Sequence, residues 1–237
     1  MRLIDAIESG EASSPPPYLN VRFDIDARPV RESGCTVIHH ISEPAVNRAL
    51  SAARDRIRAA STGAHFAWLP PSSYHMTLFD LMLHSRRGEG YWPAGLSPDA
   101  TDAEVDAFAL GALKDFDLGD AHPFQIAPRL IYAGQGGIGV AVTGASDADE
   151  ARLRRMRDRI AEATGLGHRA GHDEYAFHIT IAYLIGWPNA EETTALDEAI
   201  GAAEAALIAA HPVITLNAPE ACRFHDMTAF AREFDLS

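Results

Sequence analysis

The chain repeats one pattern in Tyr74-His75-Met76-Thr77-Leu78 and Phe177-His178-Ile179-Thr180-Ile181: apolar residue, His, apolar residue, Thr, apolar residue. Successive side chains of an extended strand point to opposite faces of a sheet. Each stretch therefore predicts a strand that shows its His and Thr on one face and buries its apolar residues on the other. Two such strands facing one cleft would supply two acid/base groups and two hydroxyl donors, which suits chemistry on a phosphate.

The bulk composition is that of an ordinary soluble globular protein. Of the 237 residues, 47% are hydrophobic and 22% are charged, and a chain of this length can bury a sizeable core. No apolar run approaches the roughly 18 residues of a membrane-spanning helix, and residues 1–10 lack the apolar segment of a signal peptide. Cys35 and Cys222 make neither a metal signature nor a disulfide framework. The sequence therefore predicts a cytoplasmic protein without a membrane partner; it leaves the oligomeric state open and favours a monomer.

The charge balance limits the class of partner. Lys and Arg number 20 against 33 Asp and Glu, so the formal net charge is −13. This argues against a broad surface for long nucleic acid, because neutralisation of phosphates dominates such binding. A small phosphorylated ligand in a locally basic cleft remains compatible. Lys114 is the single lysine. An arginine bias suits phosphate recognition, but the base composition of a GC-rich genome is the favoured explanation for it.

Periodicity and turn residues divide the chain into alternating strands and helices. Ser42 is expected to cap the first long helix, and Gly165 or Gly167 to end the third. Four residues at 134–137, three of them glycine, indicate a hairpin turn. The predicted elements are strands over 18–24 and 36–41, a helix over 43–60, a motif strand over 74–83, a loop over 84–101, a helix over 101–116, strands over 124–132 and 138–142, a helix over 147–164, the second motif strand around His178, a helix over 191–210, and a final hairpin from 213–216 and 223–234.

In each half of the chain, the predicted motif strand follows a predicted helix. The pattern predicts a single bilobal α+β domain over residues 1–237, with two pseudo-symmetric lobes around a central cleft. Each lobe would have its own antiparallel sheet and helices, which is favoured over one continuous sheet. Lobe one would cover about 18–116 and lobe two about 117–237, with strand exchange allowed. Residues 1–17 end in Ser-Ser-Pro-Pro-Pro and predict a flexible or loosely docked arm.

Other interpretations of the histidines remain open at this point. Both could be half-exposed strand residues beside threonines that merely favour strands. His40-Ile41-Ser42 is a looser third copy of the pattern, but its serine is better used as a helix cap. The eleven histidines form no helical His-Glu-x-x-His spacing and no Cys/His cluster, so the sequence predicts no metal and no cofactor. A serine-hydrolase Gly-x-Ser-x-Gly motif is also missing.

The two motifs give the chain a family resemblance. It resembles the 2H phosphoesterase superfamily, which includes bacterial RNA 2′-5′ ligase-like proteins and cyclic nucleotide phosphodiesterases. The signature is two His-x-Ser/Thr-x motifs, here His75-Met76-Thr77-Leu78 and His178-Ile179-Thr180-Ile181. More narrowly, the chain is similar to the DUF1868 branch. The stretches that carry this similarity lie between residue 18 and about 185, and they are Tyr18 to Asp24, Ser33 to Val37, Tyr74 to Phe79 and Arg86 to Pro93.

The resemblance implies a bilobal fold and metal-independent hydrolysis of a phosphodiester, often a 2′,3′-cyclic phosphate. His75 and His178 would be the acid/base pair, and Thr77 and Thr180 would bind the phosphate with their hydroxyls. An unperturbed histidine has a pKa of about 6.5, so both protonation forms are available near neutrality. The sequence does not decide which histidine is the base.

Five further residues are weaker candidates for binding the substrate. Arg86 and Arg87 begin the long loop after the first motif strand, so either could reach a phosphate, and His84 could join them. Tyr183, beyond the second motif, could stack on a base, although its pattern favours a core tyrosine. Trp92 could offer a stacking platform or simply anchor its loop.

Two other classes of function remain open. A catalytically idle module could keep the cleft and bind a nucleotide or a phosphate without turnover. RNA end processing or 2′-5′ ligation would need a longer substrate, which the net charge of −13 makes less favourable. The predicted partner is therefore a small phosphorylated, nucleotide-like substrate, with short RNA ends as the alternative.

Overall fold

The structure is a computed structural model, and it describes residues 3–8, 11–88, 90–119 and 123–236. Those residues contain five α-helices and nine β-strands. The helices are α1 (Leu3–Glu8), α2 (Pro44–Ala60), α3 (Asp102–Gly111), α4 (Asp147–Thr164) and α5 (Ala190–Ala210). The strands are β1 (Gly34–His40), β2 (Phe66–Trp68), β3 (His75–Leu83), β4 (Phe124–Gly134), β5 (Gly137–Gly144), β6 (His178–Leu184), β7 (Ile214–Leu216), β8 (Glu220–Asp226) and β9 (Ala229–Asp235).

The strands form one antiparallel sheet, which confirms the α+β prediction. Eight of them follow the order β7-β4-β5-β6-β3-β1-β8-β9, and β2 pairs with β6 off this path. The helices α2 and α5 pack against each other, and α4 packs against β3, β4 and β5. Within the described parts of the chain, no helix is long and apolar enough to cross a bilayer.

The two motif strands, β3 and β6, are neighbours at the middle of the sheet. Between them, the described residues form one ladder pair, Met76 with Ile179. The two separate sheets expected from the sequence are therefore joined into one, because the motif strands pair with each other. Strands also cross the predicted boundary between residues 116 and 117: β8 pairs with β1, and β2 pairs with β6. The division into two lobes itself stays a prediction.

The motif strands bury the side that their sequences predict. Met76, Leu78, Ile179 and Ile181 are fully buried, whereas the histidines and threonines between them are half-buried. The amphipathic pattern of each motif therefore separates a packed side from a side that lines a cleft. This difference between the two faces is what places polar groups at the centre of the molecule.

Residues 18–24 do not form the strand that their alternating sequence predicts. The Tyr18 carbonyl accepts hydrogen bonds from the backbone N–H groups of Val21, Arg22 and Phe23, and Asn20 has a φ of 60°. The segment is therefore a compact turn, in which local hydrogen bonds replace a ladder. This turn brings Arg22 to the central cavity.

Several element ends also differ from the sequence prediction. Ser42 does not cap α2; Glu43 precedes the helix without a capping side-chain bond, and Ser42 Oγ accepts from Asn217 Nδ2 instead. The helix α3 has the predicted capping box at Thr101 but ends at residue 111 rather than 116. The final hairpin is β8–β9, because β7 pairs with β4. The prediction for α4 is confirmed over 147–164 with its left-handed end at Gly165, and the structure adds a Ser146 cap that the sequence prediction did not name.

The predicted arm is docked in the part that the structure describes. Residues 1–2 and 9–10 of this arm lie outside the described residues. Leu3 in α1 is fully buried in the core, and Trp187 Nε1 donates to the Ser14 carbonyl over 2.7 Å. The expected flexible arm is thus held at these two points, by burial of an apolar side chain and by a hydrogen bond.

Candidate active site

The four residues predicted as catalytic line one cavity. Its volume is about 230 Å³, and its walls include His75 and Thr77 from β3 with His178 and Thr180 from β6. The residues come together because β3 and β6 are adjacent and both turn the polar side of the motif toward the cavity. The cavity therefore combines two imidazoles and two hydroxyls.

Both histidines are fixed by the same backbone contact. His75 Nδ1 lies 2.7 Å from the Ser73 carbonyl oxygen, and His178 Nδ1 lies 2.9 Å from the Ala176 carbonyl oxygen. A carbonyl can only accept, so Nδ1 carries the proton in each ring. In the neutral form, Nε2 is then the unprotonated nitrogen that is left for a ligand. The matched tautomers suit both rings to proton transfer through Nε2.

His75 is held neutral by its surroundings. Burial lowers the pKa of His75 to about 4, and the like charges of His40 and His178 act in the same direction. The Phe230 ring supplies part of this cover, since its centroid lies 4.2 Å from that of the imidazole. At neutral pH the ring of His75 is therefore an acceptor of protons.

Replacement of Phe230 by alanine should raise the pKa of His75 from about 4 toward the ordinary value of about 6.5. The reason is that water would reach the imidazole where the phenyl ring now excludes it. An NMR titration of the histidine ring protons measures this shift directly. Phe234, on the same strand β9, gives a matched control, and its replacement should leave the His75 titration unchanged. An unaltered pKa in the Phe230→Ala variant would contradict this account.

A bulge in each motif strand brings a further residue into the cavity. Between β1 and β3, Ile38 pairs with Thr77 but Val37 pairs with Phe79, so Leu78 is the extra residue of a bulge. The bulge reverses the alternation, and Asp80 joins the cavity wall. The sequence prediction missed Asp80, although a carboxylate inside the apolar run 78–83 was a signal that the simple alternation fails.

Strand β6 has a similar bulge. Gly139 of β5 pairs with Thr180, but Ile138 pairs with Ala182. The bulge after Thr180 lets Tyr183 line the cavity, at the position that Asp80 holds after the first motif. The sequence had proposed Tyr183 as a substrate contact, and its position in the wall is compatible with that role.

Arg22 is a cavity residue that the sequence prediction missed. Its Nη1 donates to the Tyr183 hydroxyl over 2.9 Å, and its Nε donates to Glu32 over 3.0 Å. The guanidinium carbon also lies 4.2 Å from the centre of the Tyr18 ring. Burial would lower the pKa of Arg22, but these neighbours raise it above its ordinary value. Arg22 is therefore a permanent, oriented positive charge at the cavity. The sequence did not predict this role, because residues 18–24 resemble a strand.

Of the four loop residues proposed as substrate contacts, Arg86 lines the cavity and the other three do not. Arg87 donates to the His84 carbonyl and to Asp102. Trp92 Nε1 donates to the Leu96 carbonyl, which anchors the loop. His84 Nε2 lies 2.7 Å from Asp106. These bonds of His84, Arg87 and Trp92 hold the loop between β3 and α3, and a role for these residues in binding the substrate stays a prediction.

His40 belongs to a cluster that the sequence could not reveal. Ligand atoms of His40, Glu220 and Cys222 lie within 4.8 Å of one another. His40 Nδ1 and Glu220 Oε2, 2.7 Å apart, already form a hydrogen bond. Burial raises the pKa of the Cys222 thiol to about 12, so the thiol is protonated at neutral pH and is a poor metal ligand. The cluster therefore fits a hydrogen-bonded pair better than a metal centre.

Comparison with known families agrees with the two-histidine cavity. Residues 22–133 match the family model 2H-phosphodiest, described as a domain of unknown function (DUF1868). This part of the chain therefore resembles the 2H phosphodiesterase class. Within that class the matching family is DUF1868, which confirms the resemblance drawn from the motifs. The matched region contains Arg22, the first motif and Asp80, while the second motif lies beyond it.

Two solved structures resemble the chain over most of its length. A conserved protein of unknown function, ATU0111 from Agrobacterium tumefaciens str. C58, is 28% identical with a TM-score of 0.88, over 98% of this chain and 97% of that one. TT0787 from Thermus thermophilus is 14% identical with a TM-score of 0.51, over 86% of this chain and 96% of that one. The second likeness supports the fold alone. No curated protein matches the chain.

Proposed function

We propose that the protein hydrolyses a small cyclic phosphodiester, such as a nucleoside 2′,3′-cyclic phosphate, by metal-independent acid/base catalysis from two histidines. The observation that carries the proposal is the matched pair of imidazoles. His75 and His178 line one cavity, and each has its Nδ1 bound to a backbone carbonyl two residues earlier. Both rings therefore offer Nε2 for proton transfer to and from a ligand between them.

The low pKa of His75 favours one division of roles between the two histidines. His75 is neutral at neutral pH, because burial lowers its pKa to about 4. In the proposed reaction, His75 Nε2 takes a proton from water as the water oxygen attacks phosphorus. The bond from phosphorus to one ring oxygen breaks, and protonated His178 donates its Nε2 proton to that oxygen. The bound phosphate is an anion, so it raises the pKa of nearby His75 into a range useful for a base.

Other groups of the cavity would stabilise the charge that develops on phosphorus. The hydroxyls of Thr77 and Thr180 are placed to donate to the non-bridging oxygens, as in other oxyanion sites. Arg22 and Arg86 add positive charge to the same wall, which favours an anionic substrate despite the net charge of −13. Local charge, rather than the charge of the whole chain, decides which ligand enters.

A panel of substrates tests the proposal. Wild-type protein should hydrolyse one or more nucleoside 2′,3′-cyclic phosphates, ADP-ribose 1″,2″-cyclic phosphate or 2′-5′ dinucleotides, with product followed by chromatography. Activity should persist in EDTA, because no step of the proposed mechanism uses a metal. Binding of a cyclic phosphate by calorimetry without any turnover would instead indicate a non-catalytic module. Complete loss of activity in EDTA would favour a metal, and His40 with Glu220 would be the place to look for it.

A further inference from the structure

A second cavity adjoins the candidate active site. Its volume is about 130 Å³, and it shares Asp80, Arg86 and Tyr175 with the first cavity. Arg157 from α4 and Arg169 from the segment after α4 complete its charged wall. This volume is roughly ten times the space that one water molecule needs, so the cavity has room for a phosphoryl group. A ligand in the active site could therefore extend into it.

The second cavity is strongly positive. Three guanidinium groups face one carboxylate, that of Asp80. Arg157 is only 4% exposed, and in the described parts of the chain the Nε atoms of Arg157 and Arg169 are buried without a hydrogen-bond partner. Burial, together with Arg86 and Arg157, lowers the pKa of Arg169 to about 10, which still leaves it charged at neutral pH. Positive charge therefore accumulates beside the active site with little compensation.

Arg157, which is buried, and Arg169, which is half-buried, also contact the bulged strand. Arg157 Nη1 donates to the Leu78 carbonyl over 2.6 Å, and Arg169 donates to the carbonyls of Asp80 and Leu81. These bonds hold the strand at and after its bulge. Such a structural role does not explain why Arg86 converges on the same space, nor why Arg157 and Arg169 share the single carboxylate of Asp80 in this wall. Uncompensated buried charge is costly, and a bound anion would remove that cost.

We propose that this second cavity is an anion subsite that binds a second phosphoryl group of the substrate. Guanidinium groups match phosphate oxygens in geometry and charge, and the shared wall of Asp80, Arg86 and Tyr175 makes the two cavities continuous. The preferred substrate is then a cyclic phosphodiester that carries an additional phosphate. This statement about the substrate rests on the proposed cyclic phosphodiesterase activity, whereas the subsite itself does not.

Calorimetry with inorganic pyrophosphate tests the subsite without any turnover. Arg86 is exposed and stacks on the Tyr91 ring at 4.0 Å, so Arg86→Gln should fold, which circular dichroism verifies. Wild type should bind the anion, and Arg86→Gln should bind it about tenfold more weakly. Arg48→Gln, an exposed control on α2, and His178→Ala should both bind as wild type does. Three results would overturn the subsite: no detectable binding by wild type, binding by Arg86→Gln that is as tight as that of wild type, or loss of binding in His178→Ala alone.

Kinetics then test what the subsite recognises. A nucleoside 2′,3′-cyclic phosphate should be compared with the same compound bearing a 5′-phosphate. For wild type and Arg48→Gln, the KM of the doubly phosphorylated compound should be about tenfold lower. The two KM values should become nearly equal in Arg86→Gln. Equal KM values in wild type would refute the inferred substrate but would not contradict the proposed hydrolase activity. If the protein hydrolysed neither compound, the proposed function would be refuted. The calorimetry would then still decide whether the subsite binds an anion.

Discussion

Replacement of either His75 or His178 by alanine should lower kcat for a cyclic phosphodiester by about 10²–10⁴-fold, because each variant loses one proton-transfer group. Both imidazoles lie in the wall of one cavity, and each is oriented by a backbone carbonyl rather than by another side chain. The remaining ring therefore keeps its place when its partner is removed. Because the two act in one reaction, the double variant should be far less impaired than the product of the single effects.

Steady-state kinetics of the two variants, beside circular dichroism spectra, measure this loss. His211→Ala provides the matched control, since His211 follows α5 and is not among the residues that line the cavity. It should retain wild-type kcat. Full activity in His75→Ala or in His178→Ala, with the fold intact, would contradict the two-histidine mechanism.

Replacement of Thr77 or Thr180 by valine should lower kcat by about 10²–10³-fold, the usual cost of losing one donor to a developing oxyanion. Valine keeps the β-branched shape of threonine, so the strands should pack as before. The loss should fall mainly on kcat, because the hydroxyl bonds strengthen as negative charge builds on the phosphate oxygens.

Serine variants distinguish the hydroxyl from the methyl group. Thr77→Ser and Thr180→Ser keep the donor and should recover most of the activity that the valine variants lose. If valine and serine variants were equally impaired, packing rather than hydrogen bonding would account for the effect. A rise in KM with kcat unchanged would assign the threonines to ground-state binding alone.

Local patterns in the sequence predicted the parts of the fold that depend on local interactions. The helix over 147–164 was predicted to end at Gly165 or Gly167, and the structure shows this span with its end at Gly165. The motif strands alternate strictly between polar and apolar residues from 75 to 78 and from 178 to 181, so their buried and open faces followed directly. The four motif residues entered the candidate site for this reason.

The features that the sequence did not reveal depend on contacts between distant segments. Asp80 reaches the cavity through a bulge that exists only because β3 pairs with β1. Arg22 reaches it because 18–24 folds as a turn against Tyr183, which lies 161 positions later. The pairing of β3 with β6 likewise merges the two expected sheets into one. Strand register and long-range pairing are set by tertiary packing, which alternation within one segment cannot encode.

The pairing of Met76 with Ile179 also relates ligand binding to stability. Along the sheet, the described residues join β3 to β6 through this one ladder pair, and the candidate phosphate site spans the same junction. A phosphate that is hydrogen-bonded by Thr77 on one side and by Thr180 on the other would connect the two motif strands a second time. The substrate would thus strengthen the weakest junction of the sheet, and occupancy of the site would add to the free energy of unfolding through mass action.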